Sequence, residues 1–288
     1  MTFSPSLVIP NPAKHWTGKL DLRYSYEQET TKLTQALAQA PLKIQRAFYP
    51  EGPEFCHSVV LHTAGGMVGG DRLIQTIQLD TNAQVLLTTA AASKVYKSQG
   101  DITQQIIEIT LADGAYLEWL PQETVIFNEA LYQQTMRVEL GENACFCGWE
   151  MTRLGRTARG EQFLTGDWRS RLEVWQAGYP LWIDRQWLPG GTDLLHSPNG
   201  LNGKAIVATL IWIGQVVEPE ILSKARQLGA ELVTEGEVGL TQTQGSGLIC
   251  RYRGSSTEEV KQYFWTIWSL LRQTYRDRAP IKPRVWLS

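Results

Sequence analysis

The chain has 288 residues, of which 43% are hydrophobic and 19% charged, with a formal net charge of −2. This composition suits a globular protein with a sizeable core and excludes global disorder. Basic residues do not cluster, which argues against nucleic-acid binding and against a polybasic membrane surface. The four cysteines form no disulfide framework, and the N-terminus lacks a signal-peptide pattern, so we expect a cytoplasmic protein.

The N-terminal two thirds of the chain have the pattern of β-strands. Residues 1–18 are rich in Pro and Ser and predict a flexible arm, followed by a single domain over residues 19–288. Apolar residues then recur at every second position, which predicts strands with one buried and one solvated face. The clearest of these runs cover residues 73–79, 102–111 and 135–140.

A short repeat occurs three times in this region. Each copy has Leu, two turn residues, Asn or Gly, and Ala before an apolar strand, and the copies begin at Leu79, Leu111 and Leu140. Asn and Gly tolerate positive φ, so the fourth position of each copy predicts a corner. The copies begin 32 and then 29 residues apart, a spacing typical of stacked repeats. Three ordinary hairpins are the alternative, and both interpretations are all-β.

The C-terminal part, about residues 204–288, changes to an α+β pattern. A buried strand is predicted over 204–213, and further strands near 231–234 and 247–253. One helix is predicted over 219–228, with Pro in its first turn and Gly after its last apolar residue. A second helix begins at Ser256, where Ser and Glu have capping-box spacing. We therefore predict a mainly β protein: a stacked-sheet or β-helix-like body with two α-helices in the C-terminal third.

A glycine-rich stretch, residues 62–71 (HTAGGMVGGD), is the first candidate for a binding site. It lacks the lysine of a phosphate loop, and a strand follows it where a dinucleotide fingerprint requires a helix. Paired glycines also permit a tight backbone bend with close packing. We interpret this stretch as a structural glycine loop, formed by Gly65, Gly66, Gly69, Gly70 and Asp71.

No pattern in the sequence predicts catalysis, a catalytic residue or a closed metal site. His57 and His62 flank a strand and point to opposite faces, while Cys145 and Cys147 share one strand face as small buried residues. Two alternatives stay open: a carbohydrate-active enzyme on a β-solenoid, using paired acids, and a stand-alone metal-binding protein. The carboxylates in suggestive places are Glu118, Glu123, Glu150, Glu161 and Asp167.

The C-terminal helix has more apolar surface than one buried stripe requires. Aromatic-rich patches mark interfaces, so part of this helix is a candidate for docking a partner. The alternative is a helix buried on two sides within its own domain. The docking candidates are Tyr263, Phe264, Trp265, Trp268 and Leu271.

Six short motifs follow one another in a fixed order: residues 48–54 (FYPEGPE), 62–73 (HTAGGMVGGDRL), 87–98 (LTTAAASKVYKS), 117–123 (LEWLPQE), 154–156 (LGR) and 160–161 (GE). Together they resemble one family, the UreD (UreH) urease accessory proteins, and the similarity extends from about residue 19 to the C-terminus. One departure is Thr63-Ala64, where the family often has prolines before the glycines.

The resemblance implies a non-catalytic role in assembling the nickel centre of urease. It implies binding to UreF, through UreF to the GTPase UreG, and to apo-urease, with no tightly bound cofactor and with Ni²⁺ held only in transit. The resemblance also implies that Ni²⁺ crosses the protein through an internal polar passage. Such transit requires weak O or N ligands in succession, unlike the closed ligand set of a stable metal site. The candidates to line such a passage are Thr88, Thr89, Lys94, Tyr96, Glu118, Glu123 and Glu150.

Overall fold

The computed structural model describes residues 15–286, so residues 1–14 of the predicted arm lie outside the described residues. The first strand begins at Thr17, within the predicted arm. The strands are β1 (Thr17–Glu27), β2 (Thr30–Gln39), β3 (Leu42–Ile44), β4 (Phe55–His62), β5 (Arg72–Leu79), β6 (Gln84–Thr89), β7 (Ser93–Val95), β8 (Thr103–Leu111), β9 (Tyr116–Leu120), β10 (Thr124–Ile126), β11 (Leu131–Leu140), β12 (Cys145–Leu154), β13 (Asp167–Gln176), β14 (Tyr179–Pro189), β15 (Ile206–Ile213), β16 (Glu237–Gln242) and β17 (Gly247–Gly254). The helices are α1 (Thr192–His196), α2 (Pro219–Leu232) and α3 (Thr257–Arg276).

Two stacked sheets form the body of the protein. The outer sheet has seven strands in the order β14-β13-β11-β8-β5-β1-β2. The inner sheet has ten strands, with β16-β17-β15-β12-β9-β6-β4-β3 as its main path; β10 pairs with β12, and β7 pairs with β10. Helices α2 and α3 cover the other face of the inner sheet, so it is buried on both sides. The prediction of a mainly β, stacked body with helices in the C-terminal part is confirmed.

The centre of the body is wound like a β-solenoid. Three successive coils each place one strand in the outer sheet and the next in the inner sheet: β5 and β6, then β8 and β9, then β11 and β12. Equivalent strands of successive coils pair in parallel. The predicted strands at 73–79, 102–111 and 135–140 are β5, β8 and β11, so the alternation identified them correctly.

The corners between the two sheets are the three copies of the repeat. Asn82, Gly114 and Asn143 have φ of 61°, 69° and 56°, so the predicted positive-φ corners are confirmed. The corners also stack, because the Asn82 amide donates to the Asp113 carbonyl at 3.0 Å and the Gly114 amide to the Glu142 carbonyl at 2.8 Å. The alanines that follow the corners are fully buried: Ala83, Ala115 and Ala144.

The two long C-terminal helices begin where the sequence predicts but differ in their ends and contacts. Helix α2 starts with Pro219 and continues past Gly229 to Leu232, so the predicted strand at 231–234 is wrong. A β-carbon at Gly229 would lie 3.0 Å from the Tyr263 ring, so this glycine permits close packing of α2 on α3. None of the helices in residues 15–286 is long and apolar enough to cross a membrane.

Helix α3 has the predicted N-cap, although only half of the capping box forms. The Glu259 amide donates to Ser256 Oγ at 3.1 Å, as expected. The Glu259 carboxylate does not return to the cap. It accepts the amides of Thr234 and Glu235 at 2.9 and 3.0 Å, and so fastens the turn after α2 to the start of α3.

Candidate functional site

Two rows of polar side chains face each other between the sheets. Strand alternation directs every second residue into this space, and most of those residues are apolar. At one level, however, hydrogen-bonded neighbours on successive strands are polar in both sheets. We call these seven side chains the polar layer. They are Gln105, Gln134, Ser170 and Gln186 on β8, β11, β13 and β14, with Glu150, Thr209 and Arg251 on β12, β15 and β17.

Glu150 is the acidic group of the polar layer, and its nearest partners are neutral. Gln134 Nε2 donates to Oε1, and Ser170 Oγ donates to Oε2 at 3.2 Å. Burial raises the pKa of Glu150 to about 7, against the hydrogen bond from Ser170. Asp184 adds to the rise. Near neutral pH the carboxyl group is therefore divided between its protonated and its ionised form.

The polar layer continues on one side of Glu150 into two adjoining cavities. The first, of about 40 Å³, is lined by Gln105, Gln134 and Glu150 together with Thr89 and other residues, and has room for a few water molecules. The second, of about 230 Å³, shares Gln105 and Thr89 with it. The two cavities therefore adjoin each other between Glu150 and the glycine loop, whose Gly65 and Gly66 line the second one.

Gln75 lines the second of these cavities from β5. Its side chain is 2% exposed, and its Oε1 has no hydrogen-bond partner among residues 15–286. Buried polar atoms are rarely left without a partner. This carbonyl oxygen is therefore available to a guest in the cavity, such as water or a cation.

The other end of the polar layer is closed by an ion pair between β17, the second strand of the inner sheet, and β14, the edge strand of the outer sheet. Arg251 donates hydrogen bonds to Thr209 Oγ1 and to Asp184 Oδ1, and both donor–acceptor distances are 2.8 Å. Gln186 Nε2 donates to the second Asp184 oxygen at 2.9 Å. Beyond this pair lies an open groove of about 580 Å³ whose lining includes Arg185.

A second buried cluster lies on the opposite face of the inner sheet, beneath α3. Arg272 is fully buried and donates to Glu118 Oε1 at 2.9 Å and to Glu51 Oε1 at 2.8 Å. His57 Nε2 lies 2.5 Å from the same Glu51 oxygen. Burial alone would raise the pKa of Glu51, but hydrogen bonds from His57 and Arg272 hold it below its usual value. Burial raises the pKa of Glu118 despite Arg272. These groups are partners of one another, so we interpret the cluster as a structural one that fastens α3 to the inner sheet.

Comparison with known proteins identifies the family. The family described as UreD urease accessory protein matches residues 17–287. The chain belongs to the UreD urease accessory protein family. Relatives named urease accessory protein UreD include one from Trichormus variabilis, 54% identical over 275 residues, with 96% of this chain and 97% of the relative covered. A second, from Nostoc punctiforme, is 55% identical over 274 residues, covering 95% and 97%. A third, from Synechocystis sp., is 43% identical over 254 residues, covering 88% and 94%.

The predicted passage residues of this UreD-family chain separate into two groups. Glu150 and Thr89 line the cavities beside the polar layer, and Lys94 is an exposed residue that lines the second cavity. Tyr96 lies outside them, in a surface groove near Phe127, with its hydroxyl donating to the Gly65 carbonyl at 3.0 Å.

The remaining predicted passage residues are not between the sheets. Glu118 and Thr88 project toward α3 and the C-terminal segment, where Glu118 is paired with Arg272 and Thr88 Oγ1 donates to the Leu120 carbonyl at 2.6 Å. Strand alternation sends them to the face opposite Glu150, so a passage between the sheets cannot use them. Glu123 is paired with Lys261 at 2.8 Å. The expectation for this part of the set therefore needs correction.

The docking expectation for α3 is wrong for four of its five residues. Tyr263 is 1% exposed, and Phe264, Trp268 and Leu271 are 0% exposed, because they pack into the core between α3 and the inner sheet. The alternative of a helix buried within its own domain describes them correctly. Trp265 is partly exposed and lines a groove of about 580 Å³, so it stays a docking candidate.

The glycine loop is held by its neighbours on three sides. A β-carbon at Gly66 would lie 2.6 Å from the Tyr96 ring, and one at Gly69 would lie 2.4 Å from Ser98 Oγ. The Asp71 carboxylate accepts the Val68 amide at 2.9 Å and the Trp16 amide at 3.1 Å. These contacts pack Gly66 against Tyr96 and Gly69 against Ser98, while Gly65 and Gly66 also line the second cavity.

Most of the polar layer was missed by sequence reasoning. Gln105 is in phase with Ile107 on β8, and Gln134 is in phase with Met136 on β11. A polar residue in the buried phase of a strand was the signal available. Which of these residues meet across the two sheets depends on the stacking of the sheets. Within residues 15–286, no three His, Cys, Asp or Glu residues are grouped closely enough to hold a metal ion.

Proposed function

We propose that this chain is a non-catalytic scaffold that assists nickel insertion into apo-urease. In this proposal it binds UreF, and through UreF the GTPase UreG, and Ni²⁺ crosses it between the two sheets along the polar layer. The observation that carries the proposal is Glu150. It lies between the sheets with neutral hydrogen-bond donors, Gln134 and Ser170, and opens onto a polar cavity.

Glu150 differs in this respect from the other acids that the sequence singles out. Each of the others has a cationic partner, which makes it a poor metal ligand. The pairs are Glu118 with Arg272, Glu123 with Lys261, Glu161 with Arg156 and Asp167 with Arg169. Only Glu150 among these five acids combines an inter-sheet position with neutral nearest partners.

The oxygen ligands along the layer suit a cation that binds weakly and is then released. The amide oxygen of Gln105 and the hydroxyl of Thr209 are weak ligands within the layer, as is the amide oxygen of Gln75 in the second cavity, and Glu150 supplies one stronger oxygen. A single carboxylate cannot form the closed ligand set that holds a metal stably. Ni²⁺ is the cargo of the chain in this proposal, and no bond of a substrate is made or broken on it.

The passage is tested by urease activation with matched variants. Glu150→Gln keeps the size of the side chain and removes its charge. The control is Glu108→Gln, which changes the same residue type on the exposed face of the outer sheet. With apo-urease, the accessory partners, GTP and Ni²⁺ in a purified assay, we expect Glu150→Gln to reduce the initial activation rate at least about tenfold, a loss of roughly 1.4 kcal/mol. Equal rates for both variants would overturn the passage.

The scaffold part is tested by co-purification. A tagged chain co-expressed with UreF, UreG and the urease subunits should recover all of them, and Glu150→Gln should recover them equally well. Hydrolysis of a polysaccharide by the purified chain, or failure to recover either UreF or urease, would contradict the scaffold role.

A further inference from the structure

Arg251 is the cationic member of the polar layer, and it lies on β17, one strand in from the edge of the inner sheet, where it lines the groove. In the inner sheet, β15 separates β17 from β12, so Thr209 stands between Arg251 and Glu150. In the outer sheet, the row ends on β14, the edge strand that carries Asp184. The Arg251–Asp184 pair therefore bridges the two sheets where the layer meets the groove.

The Arg251 guanidinium binds the oxygen atoms that would be the next ligands of a cation moving from Glu150 toward the groove. A dication leaving Glu150 toward the groove reaches the Thr209 hydroxyl and the Asp184 carboxylate, and both accept hydrogen bonds from Arg251. A positive charge there also repels an approaching cation, and partial burial strengthens the repulsion relative to water. On the other side of Glu150, Lys94 is an exposed residue that lines the second cavity, where water screens its charge.

The surroundings of Arg251 leave it able to move. Its side chain is 41% exposed, whereas that of Asp184 is 12% exposed. A partly exposed ion pair has a modest free energy, so its opening is accessible at ordinary temperature. The adjacent groove of about 580 Å³ can receive the displaced side chain.

We propose that Arg251 is an electrostatic gate at this mouth of the polar layer, closed by Asp184 and Thr209 and opened when the guanidinium swings into the groove. This inference rests on the proposed passage and adds to it a control point. In the closed state a nickel ion is retained at Glu150. In the open state Thr209 and Asp184 become the next oxygen donors, and the ion leaves through the groove.

The gate is tested by removing the charge of Arg251 in the complete accessory complex. Arg251→Gln and Arg251→Met both abolish the cation, and Arg251→Lys keeps it. Arg185→Gln is the matched control, because it removes a cation that lines the same groove from the opposite face of β14. The assay measures the initial rate of urease activation by Ni²⁺ at saturating GTP, and the fraction of nickel captured by a chelator added outside the complex.

We expect both uncharged variants to raise the activation rate roughly 2- to 5-fold, the factor that corresponds to the free energy of one partly exposed ion pair, up to about 1 kcal/mol. The chelator should capture more nickel from them, while Arg251→Lys and Arg185→Gln stay near the wild type. Unchanged or slower activation by both uncharged variants, with Glu150→Gln still impaired, would overturn the gate alone. If Glu150→Gln is also unimpaired, the passage itself is wrong, and the gate with it.

Discussion

Arg272 donates a hydrogen bond of 2.9 Å to Glu118, and neither side chain is exposed to solvent. The two residues join helix α3 to the middle of the inner sheet. Arg272 also binds Glu51, in the loop before β4, so one guanidinium ties three distant parts of the chain together. This buried charge cluster therefore fastens the face of the inner sheet that lies opposite Glu150 and the polar layer.

Removing the cation of this cluster should strongly destabilise the protein. Arg272→Met leaves Glu118 and Glu51 buried without their partner, and we expect the free energy of unfolding to fall by about 3–5 kcal/mol. Arg169→Met removes a surface partner of Asp167 and should cost less than about 1 kcal/mol. Urea denaturation followed by fluorescence measures both. Similar losses for the two variants would show that the buried cluster has no special role.

The stacked corners can be separated from backbone strain by two glycine substitutions. Gly114 has φ of 69°, and a β-carbon there would lie 2.3 Å from Asn82 Oδ1 in the neighbouring corner. Gly178 has φ of 80° with nothing within 4 Å. Gly178→Ala should cost about 1–2 kcal/mol from strain alone. Gly114→Ala should cost about 2–4 kcal/mol, because strain and overpacking combine. Equal losses in thermal unfolding would mean that the corners do not stack tightly.

The burial of α3 predicts losses of stability of different size for two tryptophans of this helix, Trp265 and Trp268. Trp268 is fully buried, so Trp268→Ala should reduce the free energy of unfolding by about 3–5 kcal/mol. Trp265 is partly exposed, and Trp265→Ala should cost roughly 1–2 kcal/mol. Chemical denaturation of each variant gives the comparison. A larger loss at Trp265 would contradict the orientation of the helix.

Glu150 should make stability depend on pH near neutrality. Its pKa is raised from 4.5 to about 7 in the folded state, so between these values the folded chain holds a proton that the unfolded chain has lost. The contribution of Glu150 is therefore present below about pH 4.5 and is lost as pH rises toward 7, at up to about 1.4 kcal/mol per unit. Unfolding free energies at pH 5 and pH 8 should differ less for Glu150→Gln than for Glu108→Gln. The same pH dependence in both would refute the shift.

The sequence predicted the elements of this fold better than their contacts. Alternating apolar residues located β5, β8 and β11, and the Asn or Gly of each repeat located the corners, because both signals are local backbone preferences. The end of α2 was misplaced because Gly229 was interpreted as a helix terminator. In the structure it is a helical residue that makes room for Tyr263, and tertiary packing outweighs its poor helix propensity.

The candidate site was predictable only in part, for a related reason. Glu150 and Thr89 were identified as candidates, but Glu118 was grouped with them although it faces the helices. Sequence alternation shows that neighbouring positions face opposite sides, but it does not show which side is covered by which element. Arg251 could not be found from the sequence, because its importance depends on meeting Asp184 across two sheets.

The most direct test of the proposed function is the nickel content of urease matured with altered forms of this chain. Urease is purified after co-expression with UreF, UreG and either Glu150→Gln or Glu108→Gln, and its metal is measured by atomic emission. The passage predicts that both variants still co-purify with their partners, while only Glu150→Gln yields urease with little nickel. Full nickel loading with Glu150→Gln would contradict transit through the polar layer.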